Sequence, residues 1–395
     1  MATHVGIGFS ANQEAAIAAQ EAALAARVQL KQTKIDCAIV FATAQYDPEE
    51  FVPALYEHLD HTKIVGCSTC GVILADRAET RGIGVLAIHS DTVTFETGSV
   101  SHMDLQDMRS AGTALGQNVM TEFETHQRRA FLFFIDGMAK GIGAFTDGVK
   151  EKFGQVFPIY GLGSIDDMRF HHSHQFHLDK FFLKGAAGLL LGGRVIFGAS
   201  SRHGWKPLGK PRTVDSAEGP VVKTIEGKSA LNLYEEFFDQ EAKGLNVSRL
   251  GQINIRYPLG IYLDDKSEYM LRNVAGTLDD GSVVCQDNVT PGSVVHVMIG
   301  NTETCVQAAQ QAALEVKSQL DGRKPSVVLI FESLTRLKIL GRSAAEEIQA
   351  VREAIGPSIP VFGMYSYGEI FSWPTENNAF KTYLNNGSIV LMALG

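Results

Sequence analysis

Asp36-Cys-Ala-Ile-Val-Phe-Ala42, then Asp47-Pro-Glu-Glu50, then Lys63-Ile-Val65 running into Gly66-Cys-Ser-Thr-Cys-Gly71, decide how this chain folds. The first stretch is a short apolar run and reads as a buried strand. The second offers an N-cap, a proline at the first helical position and acids in the first turn, so it opens a helix that ends near His58. The third is another short strand leading to a glycine-bearing loop. Upstream, Ser10-Ala-Asn-Gln13 is a capping-box pattern that starts a helix running to about Leu30. Downstream, two β-like runs, Gly84 to His89 and Thr92 to Glu96, are split by Ser90-Asp91, which reads as a hairpin turn.

The same order recurs. Asp104 to about Glu124 reads as helix, Ala130 to Ile135 as strand and Gly141 to Lys152 as helix. Phe157-Pro-Ile-Tyr160 then enters Gly161-Leu-Gly-Ser-Ile-Asp-Asp167, and β-like runs end in Gly188-Leu-Leu-Leu191 and Val195-Ile-Phe197. In a further copy, Asn301 to Leu320 is helical, Ser326 to Phe331 a strand, and Ser343-Ala-Ala-Glu346 a capping box opening a helix to Ile355. Pro360-Val-Phe362 enters Gly363-Met-Tyr-Ser-Tyr-Gly-Glu369, and the chain closes on two β-like runs turned at Asn385-Asn-Gly387. The separation from helix start to glycine is nearly constant: Ser10 to Gly66, Ser101 to Gly161, Asn301 to Gly363. This predicts an α/β fold of mixed, partly parallel sheets flanked by helices, built from three copies of one α-β-α-β-β-β unit. Ser229 to Gly300 is the candidate for a degenerate fourth copy. Ser200 to Pro220, rich in proline and glycine, is the natural division, giving domains 1–210 and 211–395.

Composition narrows the function. The 35 basic and 44 acidic side chains give a net charge of −9, which argues against a nucleic-acid footprint. There is no apolar run long enough for a spanning helix, so membrane insertion is not expected. The alanine-rich start carries Glu14 and Glu21 and reads as a helix rather than a leader. Five cysteines, an odd number in a long chain, fit a reducing cytoplasm.

In open α/β sheets ligands sit beyond the carboxyl ends of strands. Each unit places a glycine loop there, supplying Gly66, Cys67 and Ser68, then Gly161, Ser164, Asp166 and Asp167, then Tyr365, Tyr367 and Glu369. Glycine permits close approach, and neighbouring amides can hold an anion, although such glycines also serve turns and packing. Cys67-Ser-Thr-Cys70 has the spacing of a redox pair or half a zinc site, but no second such pair occurs and no helix follows it. A cysteine-dependent enzyme or redox switch is the alternative reading. His171-His-Ser-His174 and His177 read as a solvated edge strand or loop. His203, in Arg202-His-Gly-Trp205, reads as a hydrogen-bonded structural histidine or as an axial haem or metal ligand. Asp264-Asp265 and Asp279-Asp280 read as turns. No nucleophile elbow, phosphate-binding loop or zinc-protease motif is present.

Gly66-Cys-Ser-Thr-Cys-Gly71 and Tyr160-Gly-Leu-Gly-Ser-Ile-Asp-Asp167 resemble the glycine-rich sequences of the N-terminal FIST domain. Gly204-Trp-Lys-Pro-Leu-Gly209, Thr213-Val214 and Ile225-Glu-Gly-Lys-Ser-Ala230 are similar to the junction into the C-terminal FIST domain. Tyr257-Pro-Leu-Gly260 and Phe362-Gly-Met-Tyr-Ser-Tyr-Gly-Glu-Ile370 are similar to signatures of that second domain. The resemblance implies a non-enzymatic sensory module that binds a small molecule such as an amino acid, with Arg336 among its site residues. It also implies a haem-binding, nitric-oxide-sensing variant, with haem b as cofactor. Output would pass through a partner such as a histidine kinase. The family often has a cysteine where this chain has Ser333, ahead of Arg336.

Overall fold

Three six-stranded sheets share one strand order. The structure is a computed structural model that describes all residues except 1–2, 33, 104–106, 122, 124–126, 243–255, 264–267, 376 and 378. The first segment contributes β1 (Thr3–Ser10), β2 (Cys37–Thr43), β3 (Lys63–Thr69), β4 (Val72–Ile73), β5 (Ala78–Glu79) and β6 (Ile83–Ser90). The second contributes β7 (Val93–Val100), β8 (Arg128–Asp136), β9 (Ile159–Ser164), β10 (His174–His177), β11 (Lys180–Leu183) and β12 (Ala186–Gly193). The third begins with β13 (Phe197–Arg202). An inserted sheet follows, with β14 to β21 at Lys206–Glu218, Val221–Ile225, Lys228–Ser229, Leu259–Leu263, Glu268–Arg272, Val274–Thr277, Val283–Cys285 and Val294–Ile299. The segment then resumes with β22 (Val327–Ser333), β23 (Val361–Ser366), β24 (Glu369–Pro374), β25 (Phe380–Asn385) and β26 (Ile389–Leu394).

In every segment the first strand pairs antiparallel with the last, the last antiparallel with the second, and the second parallel with the third. The open edge beyond the third strand is then covered by a hairpin from a different segment. β10–β11 lies on β3, β24–β25 on β9, and β4–β5 on β23. The exchange is cyclic, so no segment completes its own sheet. It also removes three edges that would otherwise present unpaired backbone groups.

The sheets face inward on a shared core and outward on helices. Strands β2 and β22 are buried at every residue, which explains their unbroken apolar sequences. At the centre Phe41, Phe134 and Phe331 meet edge to face, with ring centroids 5.5, 6.1 and 6.2 Å apart. They occupy equivalent places, since their parallel partners are Cys67, Leu162 and Met364, each one residue beyond a strand glycine. Helices Ala15–Leu30 and Pro48–His58 cover the first sheet, and Met108–Thr121 and Ile142–Phe153 the second. Thr302–Gln319 and Ala344–Ile355 cover the third. Among the described residues no helix is long and apolar enough to cross a membrane.

Several elements differ from the sequence reading. β1 was not anticipated: Gly6 and Gly8 lie against the Ala15–Leu30 helix, and a Cβ on either would fall about 2 Å from a helix carbonyl. That helix begins at Ala15 rather than at Ser10, whose hydroxyl bonds to Glu21 instead. Ser229 to Gly300 is not a fourth copy. Its described strands pair only antiparallel, within the inserted sheet. The thirteen-residue β14 runs through Ser200 to Pro220 and holds residue 210. A bulge between Leu208 and Arg212 accommodates Gly209 and Pro211. The helix Leu334–Leu340 was missed, being only two turns long.

Truncating a ring of the central triangle should be costly. Phe134→Ala is expected to lower stability by about 3–5 kcal/mol in a urea titration, whereas a loss below about 1 kcal/mol would show that the triangle is not central to the core.

Candidate functional site

Asp166, Asp167 and Tyr367 lie beyond the ends of β9 and β23, and the other residues expected in loops are strand residues. Gly66 lies in β3, Gly161 in β9 and Gly363 in β23. A Cβ at Gly66 or Gly363 would sit 1.8 Å from the carbonyl oxygen of Val40 or Ile330 on the parallel neighbour. These glycines therefore set strand packing. The three strand ends do meet, but they bond to one another. The Ile165 N–H donates to the Ser68 carbonyl at 3.3 Å, Tyr365 to Gly71 at 3.1 Å, and Tyr367 to Gly163 at 2.9 Å.

The side chains there are spoken for. Ser68 Oγ accepts from the His174 N–H at 2.9 Å, and Ser164 Oγ bonds to Ser173 and Gln175. Asp166 accepts from the main chain of Phe170 and His171 at 2.9 and 2.7 Å, while Asp167 pairs with Arg169 at 3.1 Å. Glu369 accepts from Ser366 Oγ at 2.7 Å and Ser388 Oγ at 2.9 Å. Burial raises its carboxyl to about 7 despite those donors. Cys67 is wholly buried with Sγ 3.4 Å from Met364 Sδ, and burial pushes its thiol well up. Burial pushes Cys70 to about 12. Nucleophilic cysteines need the opposite environment.

Arg336 is fully buried and acts as a clamp. Its guanidinium bonds to Glu347 and to the carbonyls of His203 and Cys305, and Nε lies 3.5 Å from Glu332. Two buried carboxyls share one cation, and the Glu332 carboxyl is pushed well up, by burial first and by Glu347 second. The clamp joins the end of β22, the helix Ala344–Ile355 and the entry to the inserted sheet. His203 is 5% exposed, and its Nε2 makes no hydrogen bond among the described residues. Nδ1 accepts from the Trp205 N–H at 2.9 Å, and Nε2 lies 3.0 Å from the Glu268 carboxylate. That arrangement does not fit axial haem ligation at His203. Among the described residues no group of three His, Cys, Asp or Glu side chains could hold a metal ion. His174 and His177 lie in β10, with His171 and His172 ahead of it, and His177 bonds to Ser99 and Thr97. Asp280 caps a turn at Ser282. Asp264 and Asp265 lie outside the described residues.

Beside the closed strand ends a cleft of about 740 Å³ opens between the turn 137–141, the inserted sheet and the start of helix Leu334–Leu340. Its size is that of a site for a small organic molecule. One wall carries Phe170 and Tyr367, edge to face at 5.2 Å. Phe170 is held in a left-handed backbone conformation (φ 57°) by Asp166, whose carboxylate caps the loop. Asn273, Gln286, Thr335 and Asp287 also line the cleft. Arg272, buried beneath, lies 3.7 Å from Asp287 and offsets its charge. Of the sequence-selected residues Tyr367 alone lines this cleft, and Asp166 acts through Phe170. Asn273, Gln286 and Thr335 were missed because neither period nor motif marks them. The polar run Gln286-Asp-Asn288 after a strand is the one weak signal.

An aromatic disulfide reagent at neutral pH should label native Cys67 and Cys70 far more slowly than the denatured chain. Rapid native labelling would instead reinstate the cysteine-enzyme reading.

Residues 36–228 match the family model described as the FIST N domain, and residues 230–372 match that of the FIST C domain. No curated protein matches the chain. A solved structure of cyanuric acid hydrolase from A. caulinodans aligns over 99% of both chains at 7% identity and a TM-score of 0.37. PurLQS from Thermotoga maritima aligns over 100% of this chain and 72% of that one, at 10% identity and a TM-score of 0.26. At those scores neither likeness carries an argument about this chain.

Proposed function

The chain belongs to the FIST family, and on that premise we propose that it is a sensory module whose small ligand occupies the cleft beside Asn273 and Tyr367. FIST domains are small-ligand sensory domains of signalling proteins. The observation that carries the reading is where the cleft lies. Residues 137–141, Phe170 and Val221 belong to the FIST N match, while Asn273, Gln286, Thr335 and Tyr367 belong to the FIST C match. A ligand bridging the two domains gains affinity for one relative arrangement over others, which is what a sensor requires. The mixture of apolar walls and a few fixed polar groups is typical of small-molecule sites.

The ligand on this reading is a small polar metabolite. A haem or nitric-oxide sensor would need an axial ligand other than His203. The signal would pass to a partner protein, a histidine kinase being the class the family suggests. Catalysis is not part of the reading, because the thiols of Cys67 and Cys70 are buried and pushed well above the range of a nucleophilic cysteine.

A metabolite that binds the cleft should raise the melting temperature by mass action, worth about 2.7 kcal/mol at a hundredfold excess over Kd. Ala275, exposed at the cleft, can be replaced without disturbing the core. Ala275→Trp should abolish the shift, and a shift unchanged in that variant would move the site elsewhere.

A further inference from the structure

We propose that the cleft recognises an uncharged planar amide, a lactam or a carboxamide on a flat ring, through Asn273 and Gln286. This rests on the reading of the cleft as the ligand site. Three carboxamides meet there, and their orientations follow from one another. Asn386 Oδ1 accepts the Asn273 main-chain N–H at 3.0 Å, so Asn386 Nδ2 points the other way and donates to Gln286 Oε1 at 2.8 Å. Gln286 Oε1 also accepts from Asn273 Nδ2 at 3.4 Å, and Asn273 Nδ2 reaches Thr335 Oγ1 at 3.2 Å. A backbone amide cannot accept, so the chain of assignments starts from a fixed donor.

Two atoms remain without a hydrogen-bond partner among the described residues: the acceptor Asn273 Oδ1 and the donor Gln286 Nε2. Asn273 is 6% exposed, and both residues line the cleft. A buried polar atom left unpaired costs about 1–3 kcal/mol, so the pair favours a ligand that satisfies both. An amide does so, giving its N–H to Asn273 and accepting at its carbonyl from Gln286. A carboxylate offers acceptors alone and would face Asn273 Oδ1 unpaired. An ammonium offers donors alone and would leave Gln286 Nε2 unpaired. Charge adds no such discrimination: Arg272 and Asp287 offset each other, while Lys140 also lines the cleft. Phe170, Tyr367, Val274 and Leu334 supply apolar surface for a flat ring.

The test uses the full chain and three probes of nearly equal shape: benzamide, benzoate and acetophenone. Titration calorimetry should show benzamide binding about tenfold or more tightly than the other two, the factor that one satisfied pair is worth. Gln286→Glu keeps the acceptor that Asn386 and Asn273 use and deletes the unpaired donor, so benzamide affinity should fall by about the same factor. Ala275→Trp should abolish binding of every probe. Equal affinity for the three probes on the native chain, or no benzamide binding at millimolar concentration, overturns amide recognition without any variant being needed. Benzamide binding that survives Gln286→Glu but not Ala275→Trp also overturns it, while leaving the cleft as the ligand site. Binding that survives Ala275→Trp overturns the cleft reading itself.

Discussion

The contact of Phe41, Phe134 and Phe331 is the constraint on which the rest of the molecule depends. Each ring projects from the second strand of its sheet, one segment per ring, so the three sheets can share a core only when all three segments are folded. The hairpin exchange enforces the same condition from outside. β3, β9 and β23 each lack a neighbour until another segment lends one. Burial at the centre and backbone pairing at the edges therefore favour a single closed ring over three separate units. The strand glycines serve this ring, because only glycine lets β3 and β23 approach their parallel partners so closely.

The inserted sheet is docked on this ring by side chains. Its edge strands β18 and β19 are consecutive in sequence, joined at Asn273, so the sheet curls back on itself. An edge strand leaves main-chain N–H groups in need of acceptors. Asn385 Oδ1 takes the Leu271 N–H at 2.7 Å and Asn386 Oδ1 takes that of Asn273 at 3.0 Å. Two adjacent asparagines at the end of β25 thus stand in for a neighbouring strand. Arg272 adds a bond to the Leu384 carbonyl at 2.6 Å, and Arg336 grips the chain where it enters the insert. The cleft is the gap left between these fastenings and the turn after β8. The polar groups inside it are oriented by the same asparagines that dock the sheet.

What the sequence revealed, and what it hid, follows from the range of the interactions. The doubly buried strands, the Asp47 cap and the helix start at Asn301 are local and were legible. β1 was hidden by Gly6 and Gly8, whose missing side chains erase the alternation a strand shows on its buried face. The exchanged hairpins were visible as β-like runs, but nothing in them names a partner a hundred or more residues away. The Cys67–Cys70 spacing suggested chemistry, whereas what it marks in the fold is a pair of buried thiols whose pKa values burial raises. The polar wall of the cleft was invisible for the same reason as the hairpins. Asn273, Gln286 and Asn386 are unremarkable in the sequence and gain meaning only when three distant turns are brought together.

The closed ring is the claim from which the position of the cleft follows, and native-state hydrogen exchange across a denaturant series tests it directly. The account predicts that amides of the exchanged hairpins at 72–79, 174–183 and 369–385 open only with strands β2, β8 and β22, at the free energy of global unfolding. A hairpin that exchanges through its own low-energy opening while β2, β8 and β22 stay protected would contradict the interlocked ring.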